Sequence, residues 1–212
     1  MSISSDNDTG RIEAFSDGVF AIAITLLIIE VSVPHVHGNE ELFEALVRQW
    51  PSYVGYVISF LQIGVIWANH HNRFRFIARS DHILLFLNIL FLMCVAFIPF
   101  PTAVLADYLK GSAGETTTAG ALYAGTLLVT AVLFTLLWLY AAAGYRLLDH
   151  DLEPRLLRAM TRRYVLGTVA YLVAFALVFV SVTASLALIV VLALLFVLPE
   201  PNELPASRRA RT

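Results

Sequence analysis

Polar residues capable of acid–base chemistry stand where the first long apolar segment of the chain begins. Arg11, Ser16 and Asp17 precede an almost unbroken apolar run that continues to Ile29. A carboxylate at the mouth of a membrane-spanning segment is costly, and such side chains are usually retained for function. Asp17 is therefore our first hypothesis for a functional residue, through proton transfer or through a structural contact.

A second polar cluster closes the next apolar segment, and it consists of Trp67, Asn69, His70 and His71. Asn88 lies about two turns into the third segment, at a similar depth. Because an unpaired charge is costly at this depth, Asp17 is expected to contact one of the four cluster residues. Arg11 lies six positions from Asp17 and off its helical face, so it should pair elsewhere. The alternative is that these side chains only reach towards the lipid headgroups.

These residues do not form a recognisable catalytic site. No serine or cysteine nucleophile accompanies Asp17 and His70, and the chain has neither an HExxH zinc motif nor a glycine-rich phosphate loop. His35 and His37 have no clear third ligand near them, so we expect no metal. The single cysteine, Cys94, excludes a disulfide framework. We therefore expect neither an enzyme nor a bound cofactor.

The composition is that of an integral membrane protein. Hydrophobic residues make up 58% of the 212 residues, charged residues only 14%, and the mean hydropathy is +0.75. The formal net charge of −2 gives no basic excess, which argues against a nucleic-acid partner. The lipid bilayer is the expected surrounding.

The apolar segments predict an all-α fold with six transmembrane helices. A bilayer core requires roughly 20 apolar residues as helix. The segments that meet this requirement lie near 14–33, 52–72, 82–106, 118–146, 163–181 and 184–199. Ser181, Thr183 and Ser185 mark a tight turn between the last two helices, and one long tilted helix is the alternative.

The basic residues predict the orientation and the limits of the membrane domain. Arg48 and Lys110 lie on one side of the predicted membrane, and the other 12 of the 14 basic residues lie on the opposite side. Because cytoplasmic loops are rich in Lys and Arg, both termini are expected in the cytoplasm. We thus expect a disordered tail over 1–10, a six-helix domain over 11–199 and a Pro/Arg-rich cytoplasmic tail over 200–212.

An apolar stripe runs along the first predicted helix. Ile22, Leu26 and Ile29 stand at i, i+4 and i+7, and Thr25 adjoins them. Such a stripe is usually a packing surface. Around a central axis, however, several copies would form stacked apolar rings that gate a pore by dewetting, with Thr25 supplying a layer of hydroxyls.

Two sets of residues resemble a known family. The block Arg11-x-x-x-Phe15-Ser16-Asp17-Gly18-Val-x-Ala-Ile22-x-x-Thr25-Leu26 is similar to the first-helix signature of the bacterial members of transmembrane protein 175, an endosomal and lysosomal potassium channel family. Trp67-x-x-His70, Asn88 and the Pro99-Phe-Pro101-Thr102 step resemble further parts of the family pattern. The resemblance covers the whole predicted six-helix length.

The resemblance implies a homotetrameric potassium channel in the cell membrane, without a P-loop filter. The first helices would surround the pore, with Ile22, Leu26 and Ile29 forming the constriction and Thr25 contributing to selectivity. The polar residues Arg11, Ser16, Asp17, Trp67, His70 and Asn88 would hold that helix against its neighbours. Permeant partners would be K⁺ and other monovalent cations, with modest preference for K⁺ because backbone carbonyl rings are missing.

A transporter is the alternative function. Asp17 and His70 could relay a proton in a secondary or proton-coupled carrier. Transporters of this kind often contain inverted internal repeats, and the sequence shows no convincing repeat. Saturable, gradient-coupled uptake would distinguish a carrier from a channel.

Overall fold

The computed structural model describes residues 6–34, 41–148 and 152–197, and these residues are almost entirely helical. The helices are α1 (Asp6–Leu26), α2 (Leu42–Arg48), α3 (Trp50–Phe74), α4 (His82–Phe97), α5 (Pro99–Tyr108), α6 (Ala113–Ala142), α7 (Pro154–Val178) and α8 (Val182–Val197). Short 3₁₀ turns follow α1 at Leu27–Glu30 and α6 at Ala143–Tyr145. Within these ranges the extended structure is limited to one bridge between Ile77 and Leu148.

Five of the helical segments are long and apolar enough to cross a membrane, which confirms the all-α membrane class. They are Thr9–Glu30, Trp50–Phe74, His82–Tyr108, Ala113–Tyr145 and Pro154–Val178. The sixth predicted crossing corresponds to α8, whose 16 residues are fewer than the roughly 20 that a perpendicular crossing needs. The described residues therefore contain five helical segments long enough to cross a membrane and one shorter apolar helix.

The helix ends depart from the hydropathy limits at polar capping sequences. Ser112 and Glu115 form a capping box, in which the Ser112 N–H donates to Glu115 Oε2 at 2.8 Å, so α6 begins five residues before the predicted apolar segment. Pro154 begins α7 nine residues before the predicted apolar segment, because proline fits the first turn of a helix. Hydropathy locates the apolar part of a helix, whereas caps set its ends.

The turn between the last two helices lies where the polar serine step predicts it. The chain leaves α7 after Val178, and Ser181 Oγ accepts a hydrogen bond from the N–H of Ala184 at the start of α8. Ser185 Oγ then donates to the Ala174 carbonyl oxygen at 2.7 Å. Two packed helices, and not one long helix, therefore occupy this region.

The connection between α3 and α4 meets the connection between α6 and α7 at one end of the bundle. The N–H groups of Ala78 and Arg79 both donate to the carbonyl oxygen of Leu147, at 2.9 and 3.2 Å. Lys110 lies over the Trp50 ring and donates to the Arg48 carbonyl oxygen, which brings the two remaining basic residues together. The charge asymmetry read from the sequence thus corresponds to two distinct sites in the structure.

Asp81 stabilises the basic end of the bundle. Its carboxylate accepts from the Leu84 N–H at 2.9 Å as the N-cap of α4, and from the Tyr140 hydroxyl at 2.6 Å. Partial burial acts to raise the pKa of Asp81, but these hydrogen bonds and the Arg146 guanidinium 3.6 Å away hold the pKa below its ordinary value. The ionised form therefore joins α4 to the end of α6.

We expect Asp81→Ala to lower the free energy of unfolding by about 1–2 kcal/mol near neutral pH, the usual cost of losing an N-cap. Because the folded-state pKa is lowered, this contribution is complete above the ordinary pKa of about 4 and declines as the pH falls through the lowered value. Chemical unfolding of both proteins in detergent at several pH values measures the difference. A difference that stays constant on acidification to about pH 2 would contradict this role.

Candidate functional site

One side of α1 packs into the bundle, and the other side is exposed among the residues that the structure describes. Phe20, Ala23 and Leu27 are buried in the apolar core, where they lie with residues of α3 and α4. Ile22, Leu26 and Ile29 are 61%, 40% and 69% exposed, and Thr25 is also exposed. The stripe therefore lies on the unpacked side of the helix, as do Phe15 and Gly18.

The helix changes its winding within the stripe. The α-helical part ends at Leu26, and Leu27–Glu30 forms a 3₁₀ turn closed by the Val31 N–H on the Ile28 carbonyl oxygen at 3.1 Å. A 3₁₀ turn has three residues per turn and not 3.6, so the i, i+7 spacing of the sequence does not hold for Ile29. Ile29 nevertheless stays on the exposed side.

Thr25 presents oxygen lone pairs to its surroundings. Its Oγ1 lies 3.0 Å from the Ala21 carbonyl oxygen and 2.9 Å from the Ile22 carbonyl oxygen, so the hydroxyl hydrogen is donated back to the helix. The lone pairs of the oxygen remain available on the exposed side, and a hydroxyl in this state can accept but not donate. Thr25 can therefore contact a cation within an otherwise apolar surface.

A chain of hydrogen bonds holds the buried side of α1 near its N-terminal half. Ser16 Oγ donates to the Ile12 carbonyl oxygen at 2.8 Å and accepts from Asn88 Nδ2 at 3.0 Å. Asn88 Oδ1 lies 2.9 Å from His70 Nε2, and because an amide oxygen only accepts, His70 must donate from Nε2. All three side chains are buried, so these hydrogen bonds join α1, α3 and α4 inside the bundle.

Aromatic rings fix the position of His70. The imidazole is fully buried, stacks on Phe91 with ring centroids 5.5 Å apart, and lies 4.5 Å from the Phe74 centroid and 5.4 Å from the Phe20 centroid. No hydrogen-bond donor among the described residues reaches its Nδ1. The ring is thus held by packing on its faces and by Asn88 at one edge.

Asp17 contacts α3 through a hydrogen bond that is separate from those of Ser16, Asn88 and His70. Trp67 Nε1 donates to Asp17 Oδ1 at 2.8 Å, so the partner of Asp17 is one of the four side chains that the sequence offered. Glu13 and His71 add a second contact between the same helices, with Oε1 and Nδ1 2.6 Å apart. No hydrogen bond joins Asp17 to His70 in the part of the chain that the structure describes, so the two residues of the alternative relay belong to different contacts.

Arg11 lies outside both sets of contacts. It is exposed and lines an open cleft with Ser80, Asp81 and His82 at the start of α4. Within residues 6–34, 41–148 and 152–197, no hydrogen bond or ion pair joins Arg11 to another side chain. Five of the six predicted polar residues therefore form two separate groups, one of Ser16, Asn88 and His70 and one of Asp17 and Trp67. Arg11 belongs to neither group.

Further polar contacts, which the sequence did not predict, lie deeper in the bundle. Ser59 Oγ lies 2.8 Å from Thr102 Oγ1 and 3.2 Å from the Tyr123 hydroxyl, and Gln62 Nε2 donates to the Tyr171 hydroxyl at 2.5 Å. Each of these residues is a lone polar side chain in an apolar segment, which is the signal that could have predicted them.

Metal binding finds no support among the described residues, because no three His, Cys, Asp or Glu side chains converge there. His35 and His37 lie outside the described ranges, as do residues 1–5 and 198–212, which include most of the two predicted tails.

The class of protein defined by these features is a multi-pass helical membrane protein whose first helix is packed on one side and exposed on the other. A family model described as the endosomal/lysosomal potassium channel TMEM175 matches residues 11–99, which contain α1 from Arg11 onward and α2 to α4. A potassium channel of Chamaesiphon minutus is 46% identical over 194 residues, 91% of this chain and 95% of that protein. A potassium channel of Streptomyces collinus is 46% identical over 181 residues, 85% of this chain and 87% of that protein.

A solved structure extends the similarity to three dimensions. The crystal structure of a lysosomal potassium-selective channel TMEM175 homolog from Chamaesiphon minutus superposes with a TM-score of 0.81 at 45% identity, over 90% of this chain and 97% of that one. The chain belongs to the TMEM175 family.

Proposed function

We propose that four copies of this chain form a potassium-permeable channel whose pore is lined by α1. The bacterial relatives that match most of the chain are named potassium channels, which supports the substrate. The observation that carries this proposal is that one side of α1 is exposed within the described structure, whereas the opposite side is packed. The exposed side holds Ile22, Thr25, Leu26 and Ile29. Around a four-fold axis these residues would face one another.

The constriction in this proposal is apolar. Four isoleucines at position 22 would form a ring with Leu26 and Ile29 on the following turns, and a narrow apolar ring raises the free energy of water and ions inside it. Ion passage then requires partial dehydration, which costs less for K⁺ than for Na⁺. Selectivity is therefore modest, and no P-loop filter contributes to it.

The polar contacts set the angle of the pore helix. The chain from His70 through Asn88 to Ser16 and the contact of Trp67 with Asp17 both attach α1 to fixed neighbours. Rotation of α1 about its axis would break them, so they keep the apolar side directed at the axis. Ser16, Asp17, Trp67, His70 and Asn88 are thus positioning residues, whereas Arg11 lies apart from them in the cleft beside Asp81.

Thr25→Val is expected to lower the preference for K⁺ over Na⁺ while K⁺ flux persists. Valine has the shape of threonine without the oxygen lone pairs, so the permeability ratio should approach 1. Thr126→Val is the matched control, because Thr126 makes the same bond to its own helix, at 2.8 Å to the Leu122 carbonyl oxygen, on α6. Bi-ionic reversal potentials measure the ratio, and an unchanged ratio in Thr25→Val would exclude a role for this hydroxyl.

We further propose six crossings with both termini in the cytoplasm and residues 11–199 as the channel domain in the cell membrane. The basic loops that meet at Leu147 would then face the cytoplasm. In this arrangement α8 crosses a locally thinned bilayer.

The proposed function is tested by K⁺ flux into liposomes that contain the purified protein. A vesicle-trapped fluorescent K⁺ indicator should report entry down a K⁺ gradient, without a requirement for a Na⁺ or proton gradient. Flux no greater than in empty vesicles would exclude a channel. Flux that saturates and depends on a second gradient would support the carrier.

A further inference from the structure

We propose that a partly open cavity between helices of the bundle binds the hydroxyl group of a small amphiphile, such as a short-chain alcohol, on Gln62 and Tyr171. The site is separate from the proposed pore, because none of Ile22, Thr25, Leu26 and Ile29 lines it. Its binding test therefore does not depend on whether the chain conducts potassium.

The cavity has a volume of about 60 Å³ and mostly apolar walls contributed by α3, α4, α6, α7 and α8. The apolar side chains that line it include Val65, Ile66, Phe91, Leu127, Phe134 and Phe196. The carbonyl oxygen of Phe196 accepts from Asn69 Nδ2 at 3.2 Å and from Arg163 Nη2 at 3.4 Å, which holds the end of α8 in the cavity wall.

Gln62 brings an unused acceptor into this wall. The side chain is only 1% exposed, and its Nε2 donates to the Tyr171 hydroxyl, yet no donor among the described residues reaches its Oε1. A buried amide oxygen without a donor is unfavourable, and it is most unfavourable in the apolar layer of a membrane protein. A ligand that supplies a hydrogen to Oε1 would remove this cost.

Tyr171 supplies the complementary group. Its oxygen accepts the hydrogen from Gln62 Nε2, so its own hydrogen is available, and no acceptor for it lies among the described residues. An acceptor and a donor therefore stand side by side. A hydroxyl group is both donor and acceptor, so it can donate to Gln62 Oε1 and accept from Tyr171.

The remaining walls favour a molecule with an apolar part over water alone. One water needs roughly 10–15 Å³ of such space, and the cavity is several times larger. The other polar side chains in the walls already have partners, since Thr130 donates to the Thr126 carbonyl oxygen and Thr135 bonds Thr168. Further waters would lack the two to four partners they need, whereas a short carbon chain would contact the apolar walls.

The probe is 2-bromoethanol, with bromoethane as a matched compound without the hydroxyl. We expect saturable binding of the alcohol to the purified protein by ligand-detected NMR, and one anomalous bromine peak in the cavity in soaked crystals. Gln62→Leu and Tyr171→Phe should each raise the dissociation constant about tenfold or more, equivalent to roughly 1.4 kcal/mol. Gln49→Leu, the same exchange at the start of α3, should leave it unchanged.

Four results would overturn the proposal: equal affinity for bromoethane, unchanged affinity in Gln62→Leu and Tyr171→Phe, ordered water alone in the cavity at saturating alcohol, or binding at crystal concentration only. Tyr171→Phe removes a single oxygen atom, so this variant decides the outcome if Gln62→Leu does not fold.

Discussion

Ile22→Asn should increase K⁺ flux through liposome-reconstituted protein by about tenfold or more, which corresponds to a barrier lower by roughly 1.4 kcal/mol. Ile22 is 61% exposed on the unpacked side of α1, so the change adds a polar amide without disturbing the packed side. If four such residues form the constriction, the amides would hydrate it and remove the dewetting barrier. Because dehydration would then matter less, the preference for K⁺ over Na⁺ should fall at the same time.

Two further variants make this result specific. Ile89→Asn places the same amide on α4, at a side chain that is 50% exposed, and should leave flux at the wild-type level. Ile22→Ala widens the ring without a polar group and should raise flux by a smaller factor, which keeps the prediction testable if Ile22→Asn expresses poorly. Unchanged flux in both Ile22 variants would show that the constriction lies elsewhere.

Asn88→Leu should lower the free energy of unfolding by about 1–3 kcal/mol, the usual cost of leaving a buried polar group unpaired. Leucine has the same number and branching of side-chain heavy atoms as asparagine and is somewhat larger, so the change leaves no cavity and removes two hydrogen bonds. His70 Nε2 loses its acceptor in surroundings closed by Phe20, Phe74 and Phe91. Thermal or chemical unfolding of the purified protein in detergent measures the effect.

A second substitution separates this cause from a packing defect. In His70→Phe/Asn88→Leu the unpaired imidazole is absent, so the double variant should be more stable than Asn88→Leu alone. A double variant whose losses simply add would mean that the hydrogen bond contributes little. Since Asn88 also holds Ser16 on α1, we expect Asn88→Leu to lower K⁺ selectivity through a less firmly held pore helix.

Hydropathy and charge predicted the fold class, the positions of the long helices and the turn before α8, because these follow from burial and from single polar residues. The ends of the helices were predicted less well. The capping box at Ser112 and the proline at Pro154 add polar turns that contribute no hydropathy. The 3₁₀ turn at Leu27–Glu30 could not be predicted, because no residue type marks the change in winding.

The candidate site was predictable as a set of residues but not as a set of pairs. The cost of burying polar groups indicated that Asp17 needs a partner on the second long helix, and four residues there were suitable. Only the structure selects Trp67, because the choice depends on the rotation of α1 against α3 by a fraction of a turn. The same rotation decides that His70 meets Asn88, and that Arg11 lies in a cleft beside Asp81.

Cross-linking at position 22 tests most directly whether the exposed side of α1 meets its copies at a common axis. Cys94 is the only cysteine, so Cys94→Ala gives a background in which Ile22→Cys is the sole thiol. A short bifunctional thiol reagent applied to membranes should link Ile22→Cys into dimers, and the same reagent should not link Ile89→Cys on α4. Absence of dimers at position 22, or equal dimer formation at position 89, would contradict a pore lined by Ile22.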